Sequence, residues 1–125
     1  MSGEMPFVRC LIGFYAFMDI QQSDYQKTES AETLRAFSPI TYLHKDPSKV
    51  PPMFIARAGR DEVPTMDDSI DRFLKDAVAS NITLNFANHP EGVHSFDNQN
   101  NDDRSREIIR DALDFMKTHL NVTAK

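Results

Sequence analysis

The pattern of apolar and polar positions divides the chain into three strand-like runs and two longer helical segments. The first run, Phe7 to Phe17, mixes aromatic and branched residues with little polarity, which is typical of a buried strand. The second, near 52–58, has no polar residue from Met53 to Ala56 and stops at Gly59. Such a run predicts a strand that is buried on both faces, as in a parallel sheet covered by helices. A third strand is predicted near 83–87.

Helical spacing follows the second and the third strands. The segment near 66–80 can be capped by Thr65 or Asp67, and the segment near 103–119 has acids in its first turn, as the helix dipole favours. The predicted inner face of the first segment comprises Ile70, Phe73, Leu74, Ala77 and Val78. That of the second comprises Ile109, Ala112, Leu113, Met116 and Leu120. A short helix over 31–37 and one helical turn near 40–43 complete the prediction.

The order of these elements is strand, long crossover, strand, helix, strand, loop and helix. This order predicts an α/β architecture with about three parallel strands and flanking helices. A chain of 125 residues forms one core, so residues 1–125 are expected to be a single domain.

Charge and cysteine content exclude several classes of function. The net charge of −5 provides no basic surface, so we expect neither nucleic acid nor a membrane surface as a partner. The apolar run from Cys10 to Met18 is too short to cross a bilayer. Cys10 is the one cysteine and is expected to be buried in mid-strand; it fits a reducing, cytoplasmic location, and no signal peptide is predicted. With four glycines, no dinucleotide or phosphate loop can be assembled, and no cofactor is predicted.

The candidate chemistry lies where the predicted strands end. Asp61 follows the second strand and His94 follows the third, so both loops leave the same end of a parallel sheet. A carboxylate on one loop can then hydrogen-bond an imidazole on the other, which is the acid and base part of a nucleophilic triad. The alternatives are structural: Asp61 as a turn or helix-capping residue, and His94 as a loop histidine packed against Phe96.

The remaining histidines have weaker interpretations. His89 precedes a proline at the end of a strand, which favours a turn role, while His44 and His119 are interpreted as surface residues. A metal site from His89, Glu91 and His94 is conceivable by composition, but their spacing forms no helical ligand face, and no metal is predicted.

Two segments carry a resemblance to a known family. Residues 51–64, PPMFIARAGRDEVP, and residues 88–97, NHPEGVHSFD, resemble the carboxyl-terminal half of an α/β-hydrolase, nearest to the dienelactone hydrolase-like and esterase-like branch. The similarity extends from Phe7 to Leu120. It implies that Asp61 is the triad acid and His94 the triad base, and that the first strand corresponds to the one after the nucleophile elbow.

The chain departs widely from that family, because these residues include no Gly-x-Ser-x-Gly or Gly-x-Cys-x-Gly elbow, and the early strands, the oxyanion-hole loop and the nucleophile of the family have no counterpart in them. Four serines lack the glycine context of a nucleophile: Ser38, Ser69, Ser95 and Ser105. Two interpretations therefore stay open. Either the chain carries the acid and base of an ester or lactone hydrolase whose nucleophile lies elsewhere, or it is a catalytically inactive remnant that acts as a self-associating or partner-binding module. In either case the strand near Phe7 to Phe17 is an uncovered edge, which predicts a homo-oligomer or docking on a partner chain.

Overall fold

The computed structural model describes residues 8–120 and contains one sheet of three parallel strands in the order β1-β2-β3. The strands are β1 (Leu11–Phe14), β2 (Met53–Ala58) and β3 (Leu84–His89). The longer helices are α3 (Met66–Ala79) and α5 (Asp103–His119). The short helices are α1 (Ala31–Ala36), α2 (Pro39–Lys45) and α4 (Phe96–Gln99), with 3-10 turns at Asp24–Lys27 and Pro47–Lys49. The predicted α/β class and the three parallel strands are confirmed.

The central strand divides the core into two layers, because successive side chains of β2 point to opposite faces. Met53 and Ile55 pack against the helices α2 and α3 in one layer, together with Ile70 and Phe73. Phe54 and its neighbours on the other face pack in a second layer, which consists of Phe54, Ala56, Ala58, Ala87, Phe96, Ile108, Ala112 and Phe115. The sheet is therefore covered by helices on both faces, as the uninterrupted apolar run predicts.

Several boundaries and helix faces differ from the predictions. The first strand is shorter than 7–17, since the chain leaves β1 after Phe14; Phe7 lies outside the described residues. Val78 is 67% exposed and Leu113 50% exposed, so both were wrongly assigned to inner faces, and the same holds for Leu120. The buried residues of α5 are Ser105, Ile108, Ala112 and Phe115. The buried face of α5 is thus shifted by one position from the predicted one. Helical spacing alone allows several adjacent apolar positions to face the sheet, and in the structure Phe115 is the one that packs against Phe54.

Two smaller predictions also change. Cys10 is half-buried and lies directly before β1, so it does not occupy the middle of a strand. Thr65 stands at the N-cap position of α3, but its side chain makes no capping hydrogen bond. Across residues 8–120, none of the helices is long and apolar enough to cross a bilayer.

Candidate active site

The loops after β2 and β3 run side by side at the carboxyl edge of the sheet. The Gly59 amide donates a hydrogen bond to the His89 carbonyl at 2.8 Å, and the Arg60 amide donates one to the Gly92 carbonyl, also at 2.8 Å. These backbone contacts hold Asp61, on the first loop, against the second loop. The two side chains on which the sequence prediction depends, Asp61 and His94, therefore lie on neighbouring loops that are hydrogen-bonded to each other.

Glycine occupies one crowded position on each of the two loops. A Cβ atom at Gly59 would lie 2.7 Å from the Pro90 carbonyl oxygen, and one at Gly92 would lie 2.7 Å from His89 Cγ. Both distances are shorter than real Cβ contacts, so a larger residue at position 59 would push the two loops apart, and one at position 92 would displace the His89 side chain.

The structure brings Asp61 and His94 into direct contact. His94 Nδ1 lies 2.8 Å from Asp61 Oδ2, and the Asp61 side chain is fully buried while that of His94 is 30% exposed. The other carboxylate oxygen accepts a hydrogen bond from the Val63 amide at 2.9 Å. Asp61 is thus a turn residue and a partner of the imidazole at once, and the two sequence interpretations are compatible. The catalytic roles of both residues stay predictions.

The hydrogen bond orients the imidazole in a particular way. An ionised carboxylate accepts hydrogen bonds only, so Nδ1 carries the shared proton and the neutral ring has its lone pair on Nε2. No group of residues 8–120 forms a hydrogen bond with Nε2 of His94. This nitrogen is therefore available to accept a proton from a hydroxyl or a thiol.

Three of the four candidate serines are buried and have other hydrogen-bond partners. Ser38, Ser69 and Ser105 are at most 2% exposed. Their hydroxyls hold other elements together; Ser38 donates to the Leu34 carbonyl at 2.7 Å and Ser69 to the Met66 carbonyl at 2.9 Å. Within residues 8–120, no serine hydroxyl or cysteine thiol is hydrogen-bonded to His94.

His89 has a larger structural role than its sequence context suggests. The side chain is 4% exposed, and its Nε2 lies 3.0 Å from Asp102 Oδ1 and 3.0 Å from Ser105 Oγ. Asp102 caps α5 by accepting the Ser105 amide at 2.8 Å. The Ser105 amide and hydroxyl, followed by His89, lower the pKa of Asp102 to about 2. His89 thus joins the end of β3 to the start of α5, and sequence spacing carried no signal for this contact.

Tyr15 is the second site residue that the sequence prediction missed. It follows β1 directly, and its ring lies 4.7 Å from the His94 ring between centroids. Its hydroxyl donates a hydrogen bond to Asp97. The only sequence signal for this role is the position of Tyr15 at a strand end, the same signal that identified Asp61.

The remaining polar candidates separate from the site. Glu91 forms an ion pair with Arg60, His89 faces Asp102, and His94 faces Asp61, so the three residues of the metal alternative point to different partners. His44 is exposed, as predicted, and has an acidic partner that the sequence did not reveal, Asp76, at 2.6 Å.

A second surface feature lies along β1. This strand pairs with β2 on one side, and no other strand of residues 8–120 pairs with its outer edge. Beside it is an apolar groove of about 750 Å³, which includes Leu11 of β1. Large apolar side chains are exposed here, with Leu11 at 41%, Phe37 at 72% and Tyr42 at 53%. Contiguous apolar patches of this kind are typical of binding surfaces, whereas single exposed apolar side chains are not.

Solved esterases share this fold. Thermogutta terrifontis esterase 2 phosphorylated by paraoxon matches with a TM-score of 0.68 and 19% identity, over 94% of this chain and 42% of that chain. Carboxyl esterase 2 from the mycorrhizal fungus Tuber melanosporum matches with a TM-score of 0.70 and 13% identity, over 92% of this chain and 46% of that chain. A butyrate-bound form of the Thermogutta enzyme gives a TM-score of 0.66 and 14% identity, over 88% and 43% of the two chains.

No family model and no curated protein sequence matches the chain. The likeness to the esterases confirms that the fold is part of an α/β-hydrolase fold, as the resemblance implied. The chain spans less than half the length of these esterases. Assignment to the dienelactone hydrolase-like branch stays a prediction.

Proposed function

We propose that this chain carries the acid and the base of a carboxylic ester or lactone hydrolase, and that a separate polypeptide segment provides the nucleophile. His94 is the base and Asp61 the acid that orients it. The observation that carries the proposal is the 2.8 Å contact between Nδ1 of His94 and the buried Asp61 carboxylate. The esterase-like fold supports the reaction class.

The proposed mechanism follows from the orientation of the imidazole. A hydroxyl or thiol of the nucleophile gives its proton to Nε2 of His94 and attacks the ester carbonyl carbon. The Asp61 carboxylate stabilises the resulting imidazolium, which then protonates the departing alcohol oxygen. A water molecule then gives a proton to Nε2 of His94 and attacks the carbonyl carbon of the acyl intermediate. The imidazolium returns the proton to the nucleophile, which releases the carboxylic acid and restores neutral His94.

The outer edge of β1 is the proposed docking surface for the nucleophile-bearing segment. An unpaired strand edge presents free N–H and C=O groups that an incoming strand can pair with. The groove beside Leu11 offers an apolar surface to whatever follows that strand. Since Tyr15 at the end of β1 contacts His94, a strand added here would end close to the base.

Complementation tests this proposal. The chain is mixed with the part of Thermogutta terrifontis esterase 2 that it does not cover, and hydrolysis of p-nitrophenyl butyrate is followed. We expect turnover that requires both chains. Asp61→Asn should reduce kcat by about 10⁴-fold, by analogy with the same change in a known triad. His94→Ala should abolish turnover, whereas the matched control His44→Ala, which changes an exposed histidine, should leave it intact. Turnover that survives His94→Ala would disprove the proposed base.

The alternative is a catalytically inactive remnant that acts as a self-associating module. The exposed apolar side chains beside β1 favour this candidate, because two copies could pair through their β1 edges and cover both patches. Light scattering at micromolar concentration separates the cases: a dimer that Leu11→Lys converts to a monomer supports the module, and a monomer rejects self-association. The single cysteine fits a cytoplasmic location for either function.

A further inference from the structure

Three consecutive strands each deliver one side chain to the candidate site. Asp61 comes from the loop after β2 and His94 from the loop after β3, and Tyr15 is the first residue after β1. We propose that Tyr15 is a positioning residue that holds the His94 imidazole in register with Asp61. This inference rests on the proposed function, since positioning matters to a base.

The ring of Tyr15 covers one side of the imidazole. The two ring centroids are 4.7 Å apart with an interplanar angle of 56°. Phe96 packs edge-on against Tyr15, with centroids 5.5 Å apart, and is itself fully buried. The imidazole is therefore confined by Asp61 at Nδ1 and by a supported aromatic ring beside it. Aromatic contacts of this geometry are favourable beyond their buried area.

The hydroxyl of Tyr15 joins the same ring to α4, the short helix that follows His94. It donates to Asp97, three residues beyond His94. Burial raises the pKa of Tyr15 to about 12, with Asp97 adding to the effect, so the hydroxyl keeps its proton and stays a donor at neutral pH. The charged and titratable groups around the ring are thus Asp61, Asp97 and His94.

The backbone of Tyr15 indicates that this placement is enforced. Its φ angle is 38°, and Ser95, directly after His94, has a φ angle of 68°. Bulky residues rarely adopt positive φ, and such strained residues cluster at functional sites, where the surrounding structure holds them. The Tyr15 amide donates to the Ala56 carbonyl at 2.8 Å, which anchors the strained residue to β2.

Proton NMR tests the inference without requiring any turnover. The role of Tyr15 can therefore be rejected while the proposed function holds, or supported while the proposed function is rejected. The probe is the exchange rate of the His94 Nδ1 proton, assigned by its disappearance in His94→Gln. The exchange rate of the Ile55 amide, in the buried central strand, reports global unfolding in the same sample. Tyr42→Phe is the matched control, since it removes an exposed hydroxyl that donates to the Ala36 carbonyl.

We expect Tyr15→Leu to accelerate exchange at His94 by at least tenfold while exchange at Ile55 changes less. Tyr15→Phe keeps the ring and loses the bond to Asp97, so we expect about fivefold faster exchange, the equivalent of one net hydrogen bond. Tyr42→Phe should change neither rate. Equal acceleration at His94 and Ile55 would show a merely structural role and overturn the inference. If Tyr15→Leu does not fold, Tyr15→Phe decides, and an unchanged rate at His94 overturns it.

Discussion

The close approach of the two site loops predicts a specific cost for Gly59→Ala. The new methyl group would lie 2.7 Å from the Pro90 carbonyl oxygen, 3.0 Å from Pro90 Cα and 3.1 Å from the His89 carbonyl oxygen. All three atoms belong to the backbone, so no side-chain rotation can relieve the contact. The loop after β3 must move away, and His94 must move with it.

The magnitude follows from two opposing effects. Replacing glycine by alanine where the backbone permits it stabilises a protein by about 0.4–1 kcal/mol through the unfolded state. Overpacking in a filled site costs about 1–3 kcal/mol. A shift of the loop also weakens the hydrogen bonds from Gly59 and Arg60 to that loop, each with a net contribution of about 1 kcal/mol. We therefore expect the free energy of unfolding to fall by about 1–3 kcal/mol.

Equilibrium unfolding in urea measures this loss, at one protein concentration so that any self-association contributes equally. The matched control is Gly13→Ala in β1, where the nearest atom to a new Cβ is Ala16 Cβ at 3.8 Å, an ordinary contact. This variant should be as stable as the parent or slightly more stable. The reasoning is refuted if Gly59→Ala is no less stable than Gly13→Ala.

Two further predictions concern α5. The pKa of Asp102 is lowered from 3.8 to about 2, so its contribution to stability is present above about pH 4 and is lost as the pH falls towards 2; Asp102→Asn should flatten the acid limb of a stability profile measured by urea unfolding between pH 5 and pH 2. Ile108→Ala, at a fully buried position, should lower the free energy of unfolding by about 2–5 kcal/mol, whereas Leu113→Ala, at 50% exposure, should change it by less than about 0.5 kcal/mol. Equal losses at the two positions would contradict the observed helix face.

The sequence predicted best those features that a single physical requirement determines. The apolar run Met53 to Ala56 has no polar face, so it could be accommodated only in the middle of a covered sheet, and it forms the central strand. Asp61 and His94 could then be expected to lie close together, because adjacent parallel strands end at the same edge of a sheet, and the structure brings them into contact. Neither prediction required knowledge of a distant contact.

The features that the sequence did not reveal depend on contacts between distant side chains. His89 was interpreted as a turn residue because its neighbour is a proline, yet its ring is buried against Asp102 and Ser105. The inner face of α5 contains Ile108 and Phe115, and the sequence pattern equally allowed Leu113. Spacing along a helix narrows the inner face to a few adjacent positions, and the shape of the opposing layer selects one of them.

Tyr15 lies between the site and the outer edge of β1, which pairs with no other strand of residues 8–120. Its position allows docking at that edge and the positioning of His94 to be tested separately. A charge on the strand edge, as in Leu11→Lys, should prevent a partner strand from docking. The hydrogen bond between Asp61 and His94 should persist in this variant, because neither residue belongs to β1. Removing the Tyr15 ring should do the reverse: it loosens His94 and leaves most of the edge available. If Leu11→Lys and the loss of the Tyr15 ring each abolished both docking and the ordered position of His94, the site would form only when β1 is covered. Docking would then be a condition for assembling the base as well as for providing its nucleophile.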